Sequence, residues 1–282
     1  MQQQQQHQAQ PIGTKMYAGG VGIGARACPP KRSGAAAGAA PYPLWRKAIV
    51  EGLATYVVIL AHLAVAAGVS DVLGGGGGSA GVLIGYLIIA LVQGFSVYHI
   101  GSIFYRSGAH ANPWVTILAV FARTAPRIQI VSAVVYIVVQ IGFGLLAALT
   151  ARGIFGASST LGLPTITTSV GVGILVESLL SFVSYISFLT LAGNYQNPEH
   201  GGLKANNPAL VGGLTHTVLV AIGLFSGTGG AVNTLRWFAP AVFAGFDSNS
   251  WIYPVSHLIG VIAAFIVYFV VLMERRPRAR RA

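Results

Sequence analysis

The sequence predicts an all-α membrane protein with six transmembrane helices and two re-entrant half-helices, arranged as an inverted repeat. Three observations carry this expectation. Only 8% of the residues are charged, against about 25% in an average soluble domain, which is too few to cover a water-facing surface. Six long apolar runs recur, roughly 48–69, 81–104, 128–149, 169–192, 208–226 and 251–273, each able to cross a ~30 Å hydrocarbon core as a helix. Finally, a pattern in the first half returns three spans later. The net charge of +11 does not mark a nucleic-acid binder, because the basic residues sit in the tails and short gaps rather than on one face.

Taken in order, residues 1–43 form a cytoplasmic tail. A polyglutamine tract, Gln2 to Gln6, precedes scattered Gly, Ala and Pro, a composition that buries too little apolar surface to order itself. No apolar core of signal-peptide length follows a basic start. The lone Cys28 excludes an internal disulfide or a cysteine-built zinc cage, and reads as an unmodified tail thiol. The glycine-rich gap at 74–79 lacks the Gly-Lys-[Ser/Thr] of a phosphate loop and reads as a flexible outer loop. Two shorter apolar segments, about 112–122 and 233–244, cannot span and read as re-entrant half-helices. Residues 44–273 make the membrane domain, with inverted halves at about 44–150 and 165–273, and 274–282 is a basic cytoplasmic tail. Fifteen Lys and Arg fall on the side of the termini, whereas only Arg152 and Arg236 fall elsewhere, which predicts both termini in the cytoplasm.

The internal repeat points to the pathway. Glu51 is followed four residues later by Thr55, and Glu177 by Ser181. Ser107 and Gly108 precede Asn112 by five and four positions, as Thr228 and Gly229 precede Asn233. Inverted repeats with broken helices are characteristic of membrane transport proteins. An Asn at each half-helix start can cap exposed backbone N–H groups. Two half-helix N-termini meeting at mid-membrane would place partial positive charge there, repelling protons and cations. The Asn amides could then orient a passing neutral molecule.

The segment from Ser107 to Thr116 resembles the first Asn-Pro-Ala box of the aquaporin, or major intrinsic protein, family. Thr228 to Arg236 is similar to the second box and its following arginine. Tyr136, Gln140 and Gly144 match the family's third span, and Trp251-Ile252-Tyr253 its last, over about residues 46–272. The resemblance implies a homotetramer in the lipid bilayer with one pore per subunit. It implies passive conduction of water and small neutral solutes such as glycerol or urea, with protons and ions excluded. No cofactor, metal, nucleic acid or enzymatic activity is implied. Glu51 and Glu177 match the glutamates that brace the half-helix loops, with His110 bonding locally in the first box. Buried carboxylates need such partners in any case.

The pore motif departs from the family pattern. It reads Asn112-Pro113-Trp114 and Asn233-Thr234-Leu235. Thr234 replaces a proline favoured at the first helical position, for which a small local cost is expected. The indole of Trp114 stands where the family has a small residue, so either the opposite box yields space or the mid-pore narrows. Carried over by offset, the selectivity ring comprises Val92, Ala221, Gly230 and Arg236, with Gln93 in place of Val92 if the register shifts by one. Such a ring is wide enough for solutes larger than water, and the arginine repels cations and holds solute oxygens.

The remaining histidines, His62, His99, His216 and His257 within or near spans, show no i, i+4 metal-ligand spacing. Each is expected to be a satisfied structural side chain. His257 stands where the family usually has Pro. Two other readings compete with the channel. One is a non-conducting structural relative plugged by Trp114. The other is a coupled secondary transporter, disfavoured because no acidic residue lines either short segment to bind a coupling ion. The sequence carries no Asn-x-Ser/Thr acceptor and no address that separates the plasma membrane from an organelle membrane.

Overall fold

The computed structural model describes residues 42–73, 78–121, 128–156, 160–194 and 208–272. The N-terminal tail up to residue 41, Cys28, most of the glycine-rich gap and the basic C-terminal tail lie outside the described residues.

Among the described residues, six helices are long and apolar enough to cross a membrane: α1 (Leu44–Leu73), α2 (Gly78–Ile103), α4 (Ile130–Phe155), α5 (Val170–Asn194), α6 (Pro208–Phe225) and α8 (Ile252–Val267), the last extended by a π-helical turn over Tyr268–Leu272. Two short helices, α3 (Pro113–Phe121) and α7 (Thr234–Ala244), occupy the two segments too short to span. Helices are the form that satisfies every backbone N–H and C=O within an apolar run surrounded by lipid. The ends lie within a few residues of the apolar runs. The largest difference is α4, which runs six residues past the expected end to Phe155; α1 begins four residues early at Leu44 and carries Arg46 and Lys47 on its first turn. Long basic side chains there can reach the membrane surface from the helix end.

Packing follows the repeat. In the first half α1 packs against α4, and in the second the equivalent α5 packs against α8, while α2 and α6 join the halves. Joining them requires close approach. A Cβ on Gly213 would lie 2.7 Å from the carbonyl oxygen of Gly94, and one on Gly94 would collide with the Thr217 hydroxyl. Small residues at such a crossing let helix backbones meet in a membrane, where no hydrophobic force draws helices together. The outward faces are apolar, with Phe95, Val138 and Leu214 among the exposed side chains, as expected where lipid is the solvent.

The half-helices cross over. Leu235 of α7 is buried in a cluster with Ala54, Val58, Ala147 and Ala148 of α1 and α4. Trp114 of α3 packs against the cluster of Tyr185, Leu189, Val261 and Ala264 in α5 and α8. Each short helix therefore plugs its third motif residue into the helices of the other half. Arg152 of α4 donates from Nη1 to the Phe243 carbonyl at 3.0 Å, placing a cation at the C-terminal end of α7, where the helix dipole favours it.

Candidate pore and its filter

Asn112 and Asn233 each begin a short helix. The Asn233 backbone is extended and its Oδ1 accepts from the Leu235 N–H at 3.0 Å. Asn112 Oδ1 accepts from the Trp114 N–H at 3.1 Å. Each Asn thus satisfies a backbone donor that the first helical turn leaves open. The two boxes also meet directly, for Asn233 Nδ2 donates to the Ala111 carbonyl at 2.8 Å. Both half-helix N-termini consequently point at one place in the molecule.

A buried carboxylate holds each loop. Glu51 accepts from the backbone N–H of His110 at 3.3 Å and of Ala111 at 2.6 Å. Because a trans peptide sets its C=O opposite its N–H, the carbonyls of Ala109 and His110 are turned away from Glu51. Left-handed backbone at Ala109 and Ala111 (φ 47° and 46°) makes this turn possible. The second half repeats the device. Glu177 accepts from the Ala231 N–H at 3.3 Å, and Val232 has φ 51°. A β-branched residue in that region is strained and must be held there by its surroundings. Val232 is held by burial against Leu180, Leu219 and Val220.

Tyrosines repeat as well. Tyr136 donates to the Ser107 carbonyl and Tyr253 to the Thr228 carbonyl, both at 2.9 Å. Four residues after each tyrosine stands a second brace. Gln140 donates to Glu51 and to the Thr116 hydroxyl, both at 2.8 Å. At the matching position His257 lies 3.0 Å from the Thr234 hydroxyl through Nδ1 and 3.8 Å from Glu177 through Nε2. Thr234 and His257, which stand at the two positions where the family pattern has proline, are therefore hydrogen-bond partners. The sequence carries no direct sign of that pairing, because the residues are 23 positions apart. His110 contacts the Thr116 hydroxyl at 3.2 Å through Nδ1, and so joins the first brace.

A cavity of about 650 Å³ opens beside these loops, lined by His110, Asn112, Asn233 and His216. Trp114 is not among its lining residues. Arg236 is buried in the first turn of α7. Gly230 is buried against Gly223 and Val220 of α6. Two expected ring positions stand elsewhere. Val92 lies on the outer face of α2 at 38% exposure, whereas Gln93 beside it is 1% exposed. The buried stripe of α6 runs through Gly213, His216, Leu219, Val220 and Gly223. Ala221 is off that stripe and lines an outer groove with Leu87 and Leu91. The physical reason is helix phase: one residue turns a side chain by about 100°, so an offset counted from the Asn misses the inward face when the loop between bends.

His62 and His216 are buried with their rings stacked at a centroid distance of 5.1 Å. The sequence predicts satisfied structural histidines at both positions. The structure differs, for His62 Nδ1 and His216 Nε2 have no hydrogen-bond partner among the described residues. The signal that could have found them is their chemistry, since ionisable side chains within membrane spans are functional by default.

Residues 39–268 match the family model described as Major intrinsic protein. The chain belongs to the major intrinsic protein family. Among its relatives, aquaporin-4 of Mus musculus is 31% identical over 235 residues, 79% of this chain and 66% of that protein. The chain therefore spans slightly less than two thirds of that relative's length. Aquaporin TIP2-1 of Arabidopsis thaliana is 32% identical over 67% of this chain and 73% of that protein. The glycerol uptake facilitator protein-like 6 of Lactiplantibacillus plantarum is 31% identical over 78% of this chain and 94% of that protein. The solved aquaglyceroporin of Plasmodium falciparum shares the fold, with a TM-score of 0.62 over 82% of this chain and 98% of that one, at 16% identity. As a major intrinsic protein with six membrane-crossing helices, the chain is a multi-pass integral membrane protein.

Proposed function

We propose that the protein is a passive transmembrane channel for water and small neutral solutes such as glycerol or urea, excluding protons and ions. The observation that carries this reading is the meeting of the two half-helix starts. Asn233 reaches the Ala111 carbonyl at 2.8 Å, and both asparagines line one cavity. The positive ends of α3 and α7 and the charge of Arg236 raise the barrier to cations there. Carbonyls turned off Glu51 and Glu177 offer acceptors to a solute that leaves its water behind.

In this reading Asn112, Pro113, Asn233 and Thr234 form the pore motif, Glu51, Glu177 and His110 brace its loops, and Arg236 and Gly230 belong to the selecting ring with Gln93. The packing of Trp114 on α5 and α8 favours an open pore over one plugged by the indole. Homologues named as aquaporins and as a glycerol facilitator support water and glycerol as the substrate class. The homotetramer and the cytoplasmic termini are part of the same proposal, the latter resting on the Lys and Arg count.

Osmotic shock of proteoliposomes tests it. Vesicles carrying the native chain should shrink faster than empty ones under an impermeant osmolyte, and should re-swell faster under glycerol or urea without gaining proton conductance. Shrinkage at the rate of empty vesicles, or a proton leak that follows protein content, would contradict the proposal.

A further inference from the structure

We infer that Arg106, Arg46 and Lys47 form a binding site for the anionic headgroup of a membrane phospholipid, at the rim of the cavity where α1 begins and α2 ends. The inference concerns the lipid around the protein and does not depend on what the pore conducts.

The fold brings together cations that are distant in sequence. The Arg106 guanidinium, just after the end of α2, lies 5.6 Å from the ring centroids of both Tyr42 and Tyr105. Tyr42 immediately precedes Pro43 and α1, so Arg106 is held against the start of α1. Arg46 and Lys47 stand on the first turn of that helix, with the Arg46 guanidinium 5.0 Å from the Trp45 ring. A cation this close to an aromatic face is attracted by the ring. The ring positions the charge without neutralising it. Arg46 and Arg106 are exposed, and Lys47 is partly so. Tyr105 also lines the cavity, beside Ser102 and Ser107, which sets the cluster at the cavity's rim.

No carboxylate among the described residues forms an ion pair with any of the three cations. Glu51 is committed to the first loop. Asp71 lies at the other end of α1, about 36 Å from Lys47 at 1.5 Å of rise per residue. The cluster is therefore open to an anion from outside. Its surroundings say which kind. Trp45, Ile49 and Leu53 are exposed at four-residue spacing, so they fall on one face of α1. Ile103, at the end of α2, is exposed as well. A cationic patch that continues into an apolar stripe fits an amphiphile, with a phosphate on the cations and an acyl chain along the stripe. The planar guanidinium fork matches a phosphate in two parallel hydrogen bonds. Tyr42, Trp45 and Tyr105 are the residue types that sit at headgroup level. With the termini in the cytoplasm, as proposed above, the cluster faces the leaflet rich in anionic lipid. A zwitterionic headgroup carries its own cation and gains less from three positive charges.

The test titrates the full chain in detergent with phosphatidylserine, with phosphatidylcholine and with inorganic phosphate, and follows the melting temperature. A ligand that binds the folded state raises it in proportion to occupancy. Phosphatidylserine should raise it, and the other two should leave it near the native value. Arg106→Gln should require about fivefold more phosphatidylserine for the same rise, and the triple variant with Arg46→Gln and Lys47→Gln about a hundredfold more. Replacing Arg278, Arg280 and Arg281 by Gln should leave the response native, because the tail is not the site. An equal rise with phosphatidylcholine would overturn the assignment by showing that any lipid suffices. An equal rise with inorganic phosphate would overturn it in favour of a soluble anion. A native response in the triple variant would place the site elsewhere. A melting temperature that ignores all three ligands, as when a second copy covers this face of α1, would also overturn it.

Discussion

At the scale of single residues, the account depends on buried carboxylates that have more than one partner. Glu51 holds two backbone N–H groups and the Gln140 amide. Glu51→Ala would strand all three donors, and each unmet buried donor costs about 1–3 kcal/mol. We expect that variant to lose about 3 kcal/mol or more of stability, read as a lower melting temperature in detergent. Glu51→Gln keeps an acceptor oxygen and should fall between the two. A melting temperature unchanged by Glu51→Ala would show that the loop stands without its brace. Part of this site was legible in the sequence, because Asn112, Asn233, Arg236 and both glutamates sit in local motifs whose spacing survives folding. The pairings Thr234 with His257 and His62 with His216 were not, since their members lie 23 and 154 positions apart and nothing local links them.

Among the elements, the crossing of α2 and α6 sets the width available to the pore. The backbones approach so closely at Gly94 and Gly213 that a Cβ at either position meets a backbone atom within 3 Å. Gly94→Leu must therefore push the helices apart or unfold the chain, and overpacking of this kind costs about 1–3 kcal/mol or more. The expected outcome is a lower melting temperature together with altered water permeability. Substitution of the exposed Val92 by Leu, two positions away on the outer face, should leave both readings near native. Equal behaviour of the two variants would show that the crossing has slack. The number, order and approximate ends of the helices were readable, because a ~30 Å apolar core demands runs of one length. Helix phase was not: Gln93, buried on α2, was legible only as the alternative to Val92, and Ala221 lies off the buried stripe of α6 that carries His216.

For the whole molecule, the cross-packing of the half-helices is the decisive arrangement. Trp114 inserts into α5 and α8, and Leu235 into α1 and α4, so each half closes the other. This exchange accounts for how an indole is accommodated next to Asn112 without entering the cavity. The most direct measurement is the osmotic water permeability of proteoliposomes carrying the native chain beside those carrying Trp114→Ala at equal protein content. The account predicts that the native chain already conducts well above empty vesicles and that the variant changes the rate by less than about twofold, since the indole packs away from the path. A native chain as tight as empty vesicles, with conduction appearing only in Trp114→Ala, would contradict it and make the indole a plug.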